Sequence, residues 1–355
     1  MSQKTITLVY SLKNTFVLKD IALLEQMGYT VVTIQSPPYR DIFRFTWNRI
    51  KEFIQGFFLV AKSQAVFSWF NDYHAAAVFF WAKCFNKKRI LIVGGYDAVS
   101  SSKLEYGIFL KNNLRQRLAR WNYKHANEIW VVHKSLAEGC PKAKQQDHTL
   151  SGIRNFIQGL NTLIREVPTA YNHGFWKMEG KKNRKGIITV ANISDQRTYL
   201  RKGIPLFIKL AEALPDYQFT IAGIQKPMKY QGELPKNITL YGRLDRNALK
   251  KQYSQHQFYF QGSKIEGLPN VLCEAMLCEC VPIGANVFGI PDAIGDTGYV
   301  FNATEPLESV ISFIKSLETP LNFGEKARNR IAEHYPISKR KAVFEEVLST
   351  EAYEK

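Results

Sequence analysis

The stretch QFYFQGSKIEGLPNVLCEAMLCECVPIGA, residues 257–285, contains two apolar runs separated by a turn and a helical segment. The runs at 257–263 and 281–285 are typical of buried strands. Pro269 between them suits the first turn of a helix, because its missing N–H has no intrahelical partner there. The stretch therefore predicts a β-α-β unit of a parallel sheet.

The same alternation of apolar runs and helical segments extends over the whole chain. Strand-like runs lie at 6–11, 29–34, 65–70, 89–95 and 128–133 in the first half and at 186–193, 217–223, 237–242, 257–263 and 281–285 in the second. Continuous apolar runs of this kind are typical of parallel strands that are covered on both faces. The pattern predicts an α/β protein with two facing Rossmann-like, doubly wound domains and a cleft between them.

The boundary between the two arrays is indicated by EVPTAYNHGFWKMEGKKNRKG, which has no sustained period and contains Pro, Gly and Asn. We place the first domain at 1–168, the connection at 169–186 and the second domain at 187–337. Residues 338–355 are predicted to form a C-terminal helix that crosses back to the first domain. Ligands of open α/β sheets bind beyond the carboxyl ends of the strands, so the site is expected in the cleft.

Length and composition exclude several classes of protein. The 355 residues suit two domains, 45% of them are apolar, and no repeat is visible. The longest apolar run, AAAVFFWA at 75–82, is far shorter than the ~20 residues of a membrane-spanning helix. The start has a strand-like pattern and no secretory leader, so we expect a cytoplasmic protein. The five cysteines match no common zinc spacing and fit buried free thiols.

Two glutamates, Glu266 and Glu274, lie on either side of the turn that opens the predicted helix. The free amides of the first helical turn, at Asn270 and Val271, carry partial positive charge and favour an anion such as a diphosphate. Gly267 allows a ligand to approach the backbone closely. Glu274 lies one turn further along, where it can accept hydrogen bonds from vicinal hydroxyls such as those of a ribose, and Glu266 would meet sugar hydroxyls. The alternative is a capped helix with two solvated or paired glutamates.

The wider stretch SKIEGLPNVLCEAMLCECVPIGANVFGIPDAIGDTG resembles the signature of retaining GT-B glycosyltransferases of the family-four type, or glycosyl transferases group 1. The parts that match are E-G-x-P, EAM, a V-P-I strand and G-I-P before a glycine turn. The resemblance covers most of the second domain and rests on strand order and GGYD (94–97) in the first. It implies transfer of a sugar from a nucleotide-diphosphate donor to a glycan or lipid-linked acceptor, with retention of the anomeric configuration.

The resemblance also implies roles for individual residues. It places Glu266 against the donor sugar, Glu274 against the ribose, and Lys202 against the diphosphate, where a cation stabilises the leaving group. The other residues expected at the donor are Gly267, Leu268, Asn270, Val271, Asn192, Arg197 and Arg201. No metal or other cofactor is expected, since lysine, arginine and helix amides supply the positive charge.

Two departures from the family pattern affect these roles. Many relatives have Gly-Arg-Leu where this chain has Ala191-Asn192-Ile193, so the arginine of the phosphate clamp is missing. Arg197 and Arg201, in the same loop, are the candidates to replace it. The loop after the first strand reads YSLKNTFVLKD and is not rich in glycine, so no acceptor contact is assigned to it.

A protein base is not obligatory in this mechanism, because the leaving diphosphate can take the proton of the acceptor. Asp97, His74 and His133 are candidates for a base, since each follows a predicted strand. We include Asp97 and His74 among the catalytic residues, although each fits a capping or structural role equally well. His133 fits a structural role better.

The net charge of +17 is concentrated in the first half, where residues 1–170 have a surplus of 12 positive charges and the remainder a surplus of 5. Such a field favours anionic partners, including acidic lipids, phosphorylated acceptors and nucleic acids. Residues 40–62 and 111–125 combine apolar stripes with basic residues, as do helices on a membrane surface, or helices that pack on a sheet with snorkelling cations. The membrane or acceptor side is expected to carry Arg44, Arg49, Lys51, Arg115 and Arg117.

Three other functions are compatible with parts of the sequence. A nucleotide-sugar-modifying enzyme of the same fold, such as an epimerase, would use the same donor residues. Nucleic-acid binding fits the charge, but no recognition motif accompanies it, and the aromatic residues follow apolar strand and helix patterns. A dehydrogenase would need G-x-G-x-x-G after the first strand, which is absent.

Overall fold

The computed structural model describes residues 4–39, 41–225, 233–317 and 322–349. These residues form two six-stranded sheets, and the strand pairs within each sheet are parallel. Helices connect successive strands, as expected for a parallel sheet. The predicted α/β class with two doubly wound halves is confirmed.

The first half contains one of the two sheets and a short ribbon. Its strands are β1 Thr5–Tyr10, β2 Thr30–Gln35, β3 Ala65–Trp69, β4 Lys88–Val93, β5 Val99–Ser100, β6 Glu128–Val131, β7 Leu150–Ser151 and β8 Leu163–Glu166. Its helices are α1 Thr15–Gln26, α2 Ile42–Ala61, α3 Tyr73–Cys84, α4 Leu114–His125, α5 Ser135–Glu138, α6 Pro141–Asp147 and α7 Ile153–Phe156. The sheet has the order β2-β1-β3-β4-β6-β8, and β5 pairs with β7 in an antiparallel ribbon.

The second half contains the other sheet. Its strands are β9 Asn183–Ile193, β10 Gln218–Ile224, β11 Ile238–Tyr241, β12 His256–Gln261, β13 Val281–Ala285 and β14 Tyr299–Phe301. Its helices are α8 Gln196–Arg201, α9 Ile204–Ala213, α10 Arg246–Gln255, α11 Asn270–Leu277, α12 Ile290–Ile294, α13 Leu307–Ser316 and α14 Phe323–His334. The order is β11-β10-β9-β12-β13-β14.

Each sheet has one place where the strand order reverses direction. In the first sheet the reversal lies between β1 and β3, and in the second it lies between β9 and β12. The connections from the two neighbouring strands run to opposite faces at such a place, which leaves a crevice at their carboxyl ends. We call these crevices the first and second switch points.

The last helix, α15 Ile337–Ser349, follows the second sheet in sequence but packs on the first. The Arg340 guanidinium donates two hydrogen bonds of 2.6 Å to the Asp20 carboxylate on α1. The Phe344 ring lies 5.3 Å from that of Phe67 and 5.1 Å from that of Trp130. The chain therefore crosses between the halves twice. Residues 350–355 of the predicted C-terminal helix lie outside the described residues.

The structure differs from the expected boundaries at the edges of the sheets. β9 starts at Asn183, inside the connection expected at 169–186. The edge strands β8 and β14 were not predicted, because β8 is partly exposed and β14 has three residues, so neither shows a continuous apolar run. The domain limits drawn from the sequence stay a prediction.

Candidate active site

The second switch point holds the strand, turn and helix that the sequence singled out. β12 ends at Gln261, and α11 begins at Asn270. Pro269 has an extended backbone and is the N-cap, so the helix starts one residue later than expected, and no side chain caps its first turn. The Asn270 Oδ1 atom is buried without a hydrogen-bond partner. The start of α11 therefore keeps the positive polarity that favours an anion.

Glu266 lies in the turn and forms an ion pair with Lys202. Its Oε1 atom also accepts hydrogen bonds from Ser263 Oγ at 3.0 Å and from Gln261 Nε2 at 3.4 Å. Burial raises the pKa of Glu266, but the charges of Lys202 and Arg201 outweigh burial, and the pKa lies below its usual value. The carboxylate is therefore ionised, and its position is fixed from several sides.

The lysine reaches this carboxylate because of the glycine that follows it. Gly203 has a φ of +71°, and a Cβ atom there would lie 2.0 Å from the carbonyl oxygen of Gly262. Only glycine allows the backbone to pass this close to the end of β12. The Lys-Gly pair thus places Lys202 beside the turn. Burial lowers the pKa of Lys202, and Glu266 partly opposes that shift.

Glu274, expected to hold the ribose, lies on the second turn of α11 and is buried. Its Oε1 atom accepts a hydrogen bond of 3.3 Å from Lys19 Nζ, which belongs to α1 in the first half. Sequence reasoning did not identify Lys19, since a single lysine on a helix that ends near Gly28 gives no signal of its own. The contact arises from the docking of the two halves.

The two halves touch at the glycine of the same turn. A Cβ atom on Gly267 would lie 2.5 Å from Val132 Cγ2 and 2.7 Å from the Gly94 carbonyl oxygen. Gly267 was expected to admit a ligand, whereas here the close approach is made by the backbone of the first half. Leu268, next in the turn, is buried, and Val271 is partly buried on α11. The Glu266 turn therefore lies directly against the GGYD loop.

The residues proposed to replace the missing arginine also reach the first half. The Arg201 guanidinium lies 4.6 Å from the centre of the Tyr106 ring. Arg197 Nη1 donates a hydrogen bond of 3.1 Å to the Glu105 carbonyl oxygen. Asn192 Oδ1 accepts a hydrogen bond from Gln225. Of the two arginines, Arg201 is the one whose charge lowers the pKa of Glu266.

Asp97, a candidate base, accepts hydrogen bonds from the backbone of the turns around it. The residue is fully buried, and its carboxylate accepts backbone hydrogen bonds from Gly95 at 2.9 Å, Asn71 at 3.1 Å and Gly94 at 3.2 Å. Burial raises the pKa of Asp97 to about 6. These contacts brace the Gly94-Gly95 turn and favour the structural alternative for Asp97, and the catalytic role stays a prediction.

His74 lies at the first switch point, beside a cavity of about 260 Å³. Its Nε2 atom is 3.0 Å from the Trp69 carbonyl oxygen and 3.1 Å from that of Phe70, so Nε2 carries the proton. Burial lowers the pKa of His74, which favours the neutral ring. The other residues around the cavity include Ser11, Ser36, Arg49, Asp72 and Arg115.

Polar groups in this first cavity are only partly satisfied. Arg115 forms a two-point ion pair with Asp72 and donates to Tyr96 Oη at 2.7 Å. The Oγ atom of Ser36 and the Nε atom of Arg49 are buried without hydrogen-bond partners. Unsatisfied buried polar atoms are costly, so their presence beside a cavity points to a ligand or water that pairs with them.

The five residues expected on the membrane or acceptor side separate into two groups. Arg44, Lys51 and Arg117 are exposed. Arg49 and Arg115 line the cavity and are paired with Glu52 and Asp72, so they do not face outward. Helix α2 also exposes a row of large apolar side chains, namely Ile42, Phe43, Trp47, Ile50, Ile54 and Phe58.

His133 joins the halves at the edge of the cleft. Its Nε2 atom lies 2.9 Å from Asp292 Oδ2 on α12, and its Nδ1 atom lies 2.8 Å from Ser135 Oγ. Both ring nitrogens are thus engaged, in agreement with the structural role expected for it. Within the described ranges, no group of three or more His, Cys, Asp or Glu residues is arranged to hold a metal ion.

The model of the family glycosyl transferases group 1 matches residues 177–330. N-acetyl-alpha-D-glucosaminyl L-malate synthase of Bacillus anthracis is 37% identical to the chain, and the match covers 76% of this chain and 83% of that relative. The chain belongs to the group 1 glycosyltransferases. The family membership expected from the Glu266–Glu274 segment is therefore confirmed, and the protein is an enzyme that transfers a sugar.

Solved structures confirm the fold of this glycosyltransferase. Sucrose-phosphate synthase from Thermosynechococcus elongatus superimposes with a TM-score of 0.75 at 13% identity, covering 98% of both chains. HepE of Anabaena, solved with UDP and glucose, gives a TM-score of 0.69 at 11% identity and covers 98% of this chain and all of that one. The glycosyltransferase thus has the GT-B fold expected from its sequence.

Proposed function

We propose that the enzyme transfers a hexose-type sugar from a nucleotide-diphosphate donor to a glycan or lipid-linked acceptor, with retention of the anomeric configuration. The observation that carries this proposal is the Lys202–Glu266 ion pair at the second switch point, beside the uncapped start of α11. A cation, free helix amides and a fixed carboxylate are the groups that a sugar diphosphate needs. HepE, which has the same fold, is solved with UDP and glucose.

In the proposed mechanism, the diphosphate lies between Lys202 and the first amides of α11. As the bond from the anomeric carbon to the phosphate oxygen breaks, Lys202 stabilises the charge that develops on the leaving group. The acceptor oxygen bonds to the anomeric carbon on the face that the diphosphate leaves, and its proton passes to a diphosphate oxygen. Glu266 holds hydroxyls of the sugar. Retention follows because attack and departure share one face.

We also propose that the reaction needs no metal, because Lys202 and Arg201 supply positive charge at the diphosphate. This part is tested by measuring transfer in the presence and absence of EDTA. Equal rates would support it. A loss of activity that Mg²⁺ or Mn²⁺ restores would contradict it.

The donor is tested with a panel of UDP-, GDP-, ADP- and dTDP-sugars, read as thermal shifts of the purified protein. Binding to the folded state raises the melting temperature by mass action. A compound that stabilises the enzyme is then followed by NMR for the configuration of the released or transferred sugar. An inverted product would contradict retention, and the absence of any shift would contradict the proposed donor class.

We place the acceptor at the first switch point, in the cavity beside His74. A chain of contacts links this cavity to the donor side: Arg115 bonds to Tyr96, the Tyr96 ring lies 5.1 Å from the Tyr106 ring, and Arg201 covers Tyr106. The unpaired Ser36 and Arg49 atoms would meet hydroxyl or anionic groups of the acceptor.

A small hydroxy acid is a second candidate acceptor. The 37% identical relative is named as a synthase that joins N-acetylglucosamine and L-malate. The two arginines beside the first cavity, Arg49 and Arg115, suit a carboxylate. Transfer assays with malate on the one hand and with simple glycosides on the other distinguish these acceptors by the product that forms.

We further propose that the enzyme works at the inner face of a membrane, attached through α2. Phe43 and Trp47 are 82% and 69% exposed, beside the exposed Arg44 and Lys51. This arrangement suits a helix that lies on an anionic bilayer. Within the described part of the chain, no helix has the length and apolar character needed to cross a membrane.

Flotation with anionic liposomes at low and high salt tests the attachment, because screening weakens surface electrostatics. We expect Trp47→Ser to reduce flotation, whereas Leu240→Ser, an exposed apolar residue of the second half, serves as the control. Absence of binding at low salt would contradict the proposal.

A further inference from the structure

We propose that Lys19, on α1 of the first half, is a positioning residue for the donor: it holds the Glu274 carboxylate in the orientation that receives the ribose. The inference rests on the proposed function, because it takes Glu274 as the residue that binds the ribose. It adds that the ribose site is completed by the opposite half of the molecule.

The contacts of Lys19 come from two parts of the chain that are distant from α1 in sequence. Its Nζ atom lies 3.3 Å from Glu274 Oε1 on α11 and 4.3 Å from the centre of the Tyr171 ring in the connection between the halves. The two side chains are 21% and 6% exposed. A partly buried ammonium held by a carboxylate and an aromatic face has a defined position. Lys19 is therefore a fixed part of the crevice and not a mobile surface charge.

Each residue of this pair partly offsets the pKa shift that burial causes in the other. Burial raises the pKa of Glu274, and the charges of Lys19 and Arg246 oppose that rise. Burial lowers the pKa of Lys19, and Glu274 opposes that fall. An ionised carboxylate accepts hydrogen bonds about twice as strong as a neutral group does. By opposing the rise in the pKa of Glu274, Lys19 favours the ionised form, which accepts stronger hydrogen bonds from ribose hydroxyls.

Other groups around Glu274 enter the same balance. Three positively charged residues lie near Glu274 or near its helix α11: Lys19 on α1, Arg246 on α10 and Arg328 on α14. The other titratable residues nearby are three tyrosines and two cysteines, namely Tyr171, Tyr253, Tyr259, Cys273 and Cys278. The tyrosines and cysteines are neutral near pH 7 because burial raises their pKa values. The charge of Lys19 therefore has the largest influence on Glu274 after burial.

One oxygen of the Glu274 carboxylate is left without a hydrogen-bond partner in the described part of the chain. Lys19 contacts one carboxylate oxygen, and within the described residues no hydrogen bond to Glu274 Oε2 is present. A cavity of about 390 Å³ adjoins Lys19 and opens between α1, the connection and Arg246. Glu274 does not line this cavity, and its Oε2 atom is the one that we assign to the ribose while Lys19 holds Oε1. Because its partners lie in opposite halves, the pair exists only when the halves are docked.

Binding of UDP, GDP and ADP, measured by calorimetry between pH 5 and pH 8, tests the inference. Lys19→Met removes the charge and keeps most of the length. For the diphosphate that binds the wild type, we expect its Kd to rise about tenfold at pH 7, and Lys19→Arg to restore most of the affinity. Without Lys19 the pKa of Glu274 rises further, and the ribose-binding carboxylate is lost as pH falls through that pKa. Affinity of Lys19→Met should therefore decline at a higher pH than affinity of the wild type.

A comparison with the 2′-deoxy form of the same diphosphate isolates the ribose. We expect the wild type to prefer the ribonucleotide and Lys19→Met to lose most of that preference. The matched control is Lys264→Met, because Lys264 Nζ also lies 3.3 Å from a carboxylate of the opposite half, that of Asp147, and does not contact Glu274.

Three results would overturn the inference: an unchanged Kd in Lys19→Met, an equal loss in Lys264→Met, or an undiminished preference for the ribonucleotide. In each of these cases the wild type still binds a nucleotide, so the proposed function stands. A wild type that binds none of the three diphosphates and none of the nucleotide sugars would overturn the proposed function, and this inference with it.

Discussion

The two switch points of this enzyme have similar positions in their sheets but are built differently. At the second, Glu266, Glu274 and the free helix amides come from one continuous segment, and Lys202 from the neighbouring connection. At the first, the cavity draws its polar groups from the ends of three strands and from α2 and α4. A site on one segment leaves a pattern in the sequence, whereas a site assembled from many elements does not.

The difference extends to how the charges are paired. Lys202 and Glu266 belong to the same half, while Lys19, Arg197 and Arg201 contact residues of the opposite half. Several groups at the second switch point thus depend on the first half for their position. The comparison teaches that the donor residues are encoded locally but oriented by docking.

Lys202→Met tests the local part of the second switch point and should have the largest effect. Loss of a cation at a developing negative charge is expected to lower kcat about 10²- to 10³-fold, because it acts on the transition state. Steady-state rates of transfer measure this, with Lys209→Met, an exposed lysine on α9, as the control. A fall of less than about threefold would show that another group stabilises the leaving diphosphate.

Asp97→Asn tests the Gly94-Gly95 turn, where the first half contacts the Glu266 turn of the second half. Burial raises the pKa of Asp97 to about 6, above its ordinary value of 3.8. The folded protein binds the Asp97 proton more tightly than the unfolded chain does. This stabilises the fold fully below about pH 3.8, and the contribution is lost as pH rises through about 6. We expect the wild type to lose roughly 2–3 kcal/mol of unfolding free energy between pH 4 and pH 7, relative to Asp97→Asn.

Urea unfolding at both pH values measures this difference. The control is Ser63→Ala, because Ser63 is buried in the same half and does not titrate between these pH values. If the free energy of unfolding of the wild type and of Asp97→Asn changes equally between the two pH values, the stability of the Gly94-Gly95 turn does not depend on the charge of Asp97.

Arg201→Ala tests the part of the donor site that docking orients. Its charge lowers the pKa of Glu266, and its guanidinium lies over Tyr106 of the first half. We expect kcat/KM for the donor to fall about fivefold to tenfold, since one charge at moderate distance is removed. Arg184→Ala, an exposed arginine at the start of β9, is the control. Unchanged kinetics in both Arg201→Ala and Arg197→Ala would assign the clamp to another residue.

Ser36→Ala tests the first switch point and should have the smallest effect. Its buried hydroxyl makes no close hydrogen bond but interacts with Glu52, whose pKa it lowers, so its removal should change the melting temperature only slightly. If the hydroxyl binds the acceptor, KM for the acceptor should rise about fivefold. Ser63→Ala provides the contrast, because the Ser63 hydroxyl forms a hydrogen bond of 2.7 Å with that of Thr7. This variant should be less stable than the wild type, with an unchanged KM for the acceptor. A lower melting temperature and an unchanged KM for the acceptor in Ser36→Ala would show that Ser36 does not bind the acceptor.

Much of the second half was predictable for a physical reason. Alternating apolar runs predicted its strands, and the turn before α11 predicted an anion site, because both depend on neighbours in the sequence. The donor role expected of Gly267 stays a prediction, and nothing in the sequence indicated that the backbone of the first half approaches it. The two roles considered for Asp97 could not be separated from the sequence, because it does not reveal which backbone amides surround a buried carboxylate.

The sequence by itself determined the class of fold and the family and singled out the segment proposed to bind the donor, since periodicity and local spacing are properties of one stretch of chain. Tertiary structure alone decided that Lys19 holds Glu274, that Arg49 and Arg115 line a cavity instead of facing outward, and that α15 closes on the first sheet. Lys19 and Glu274 are 255 positions apart in the chain. Contacts over such separations depend on how two packed halves fit together, and no local pattern encodes that fit.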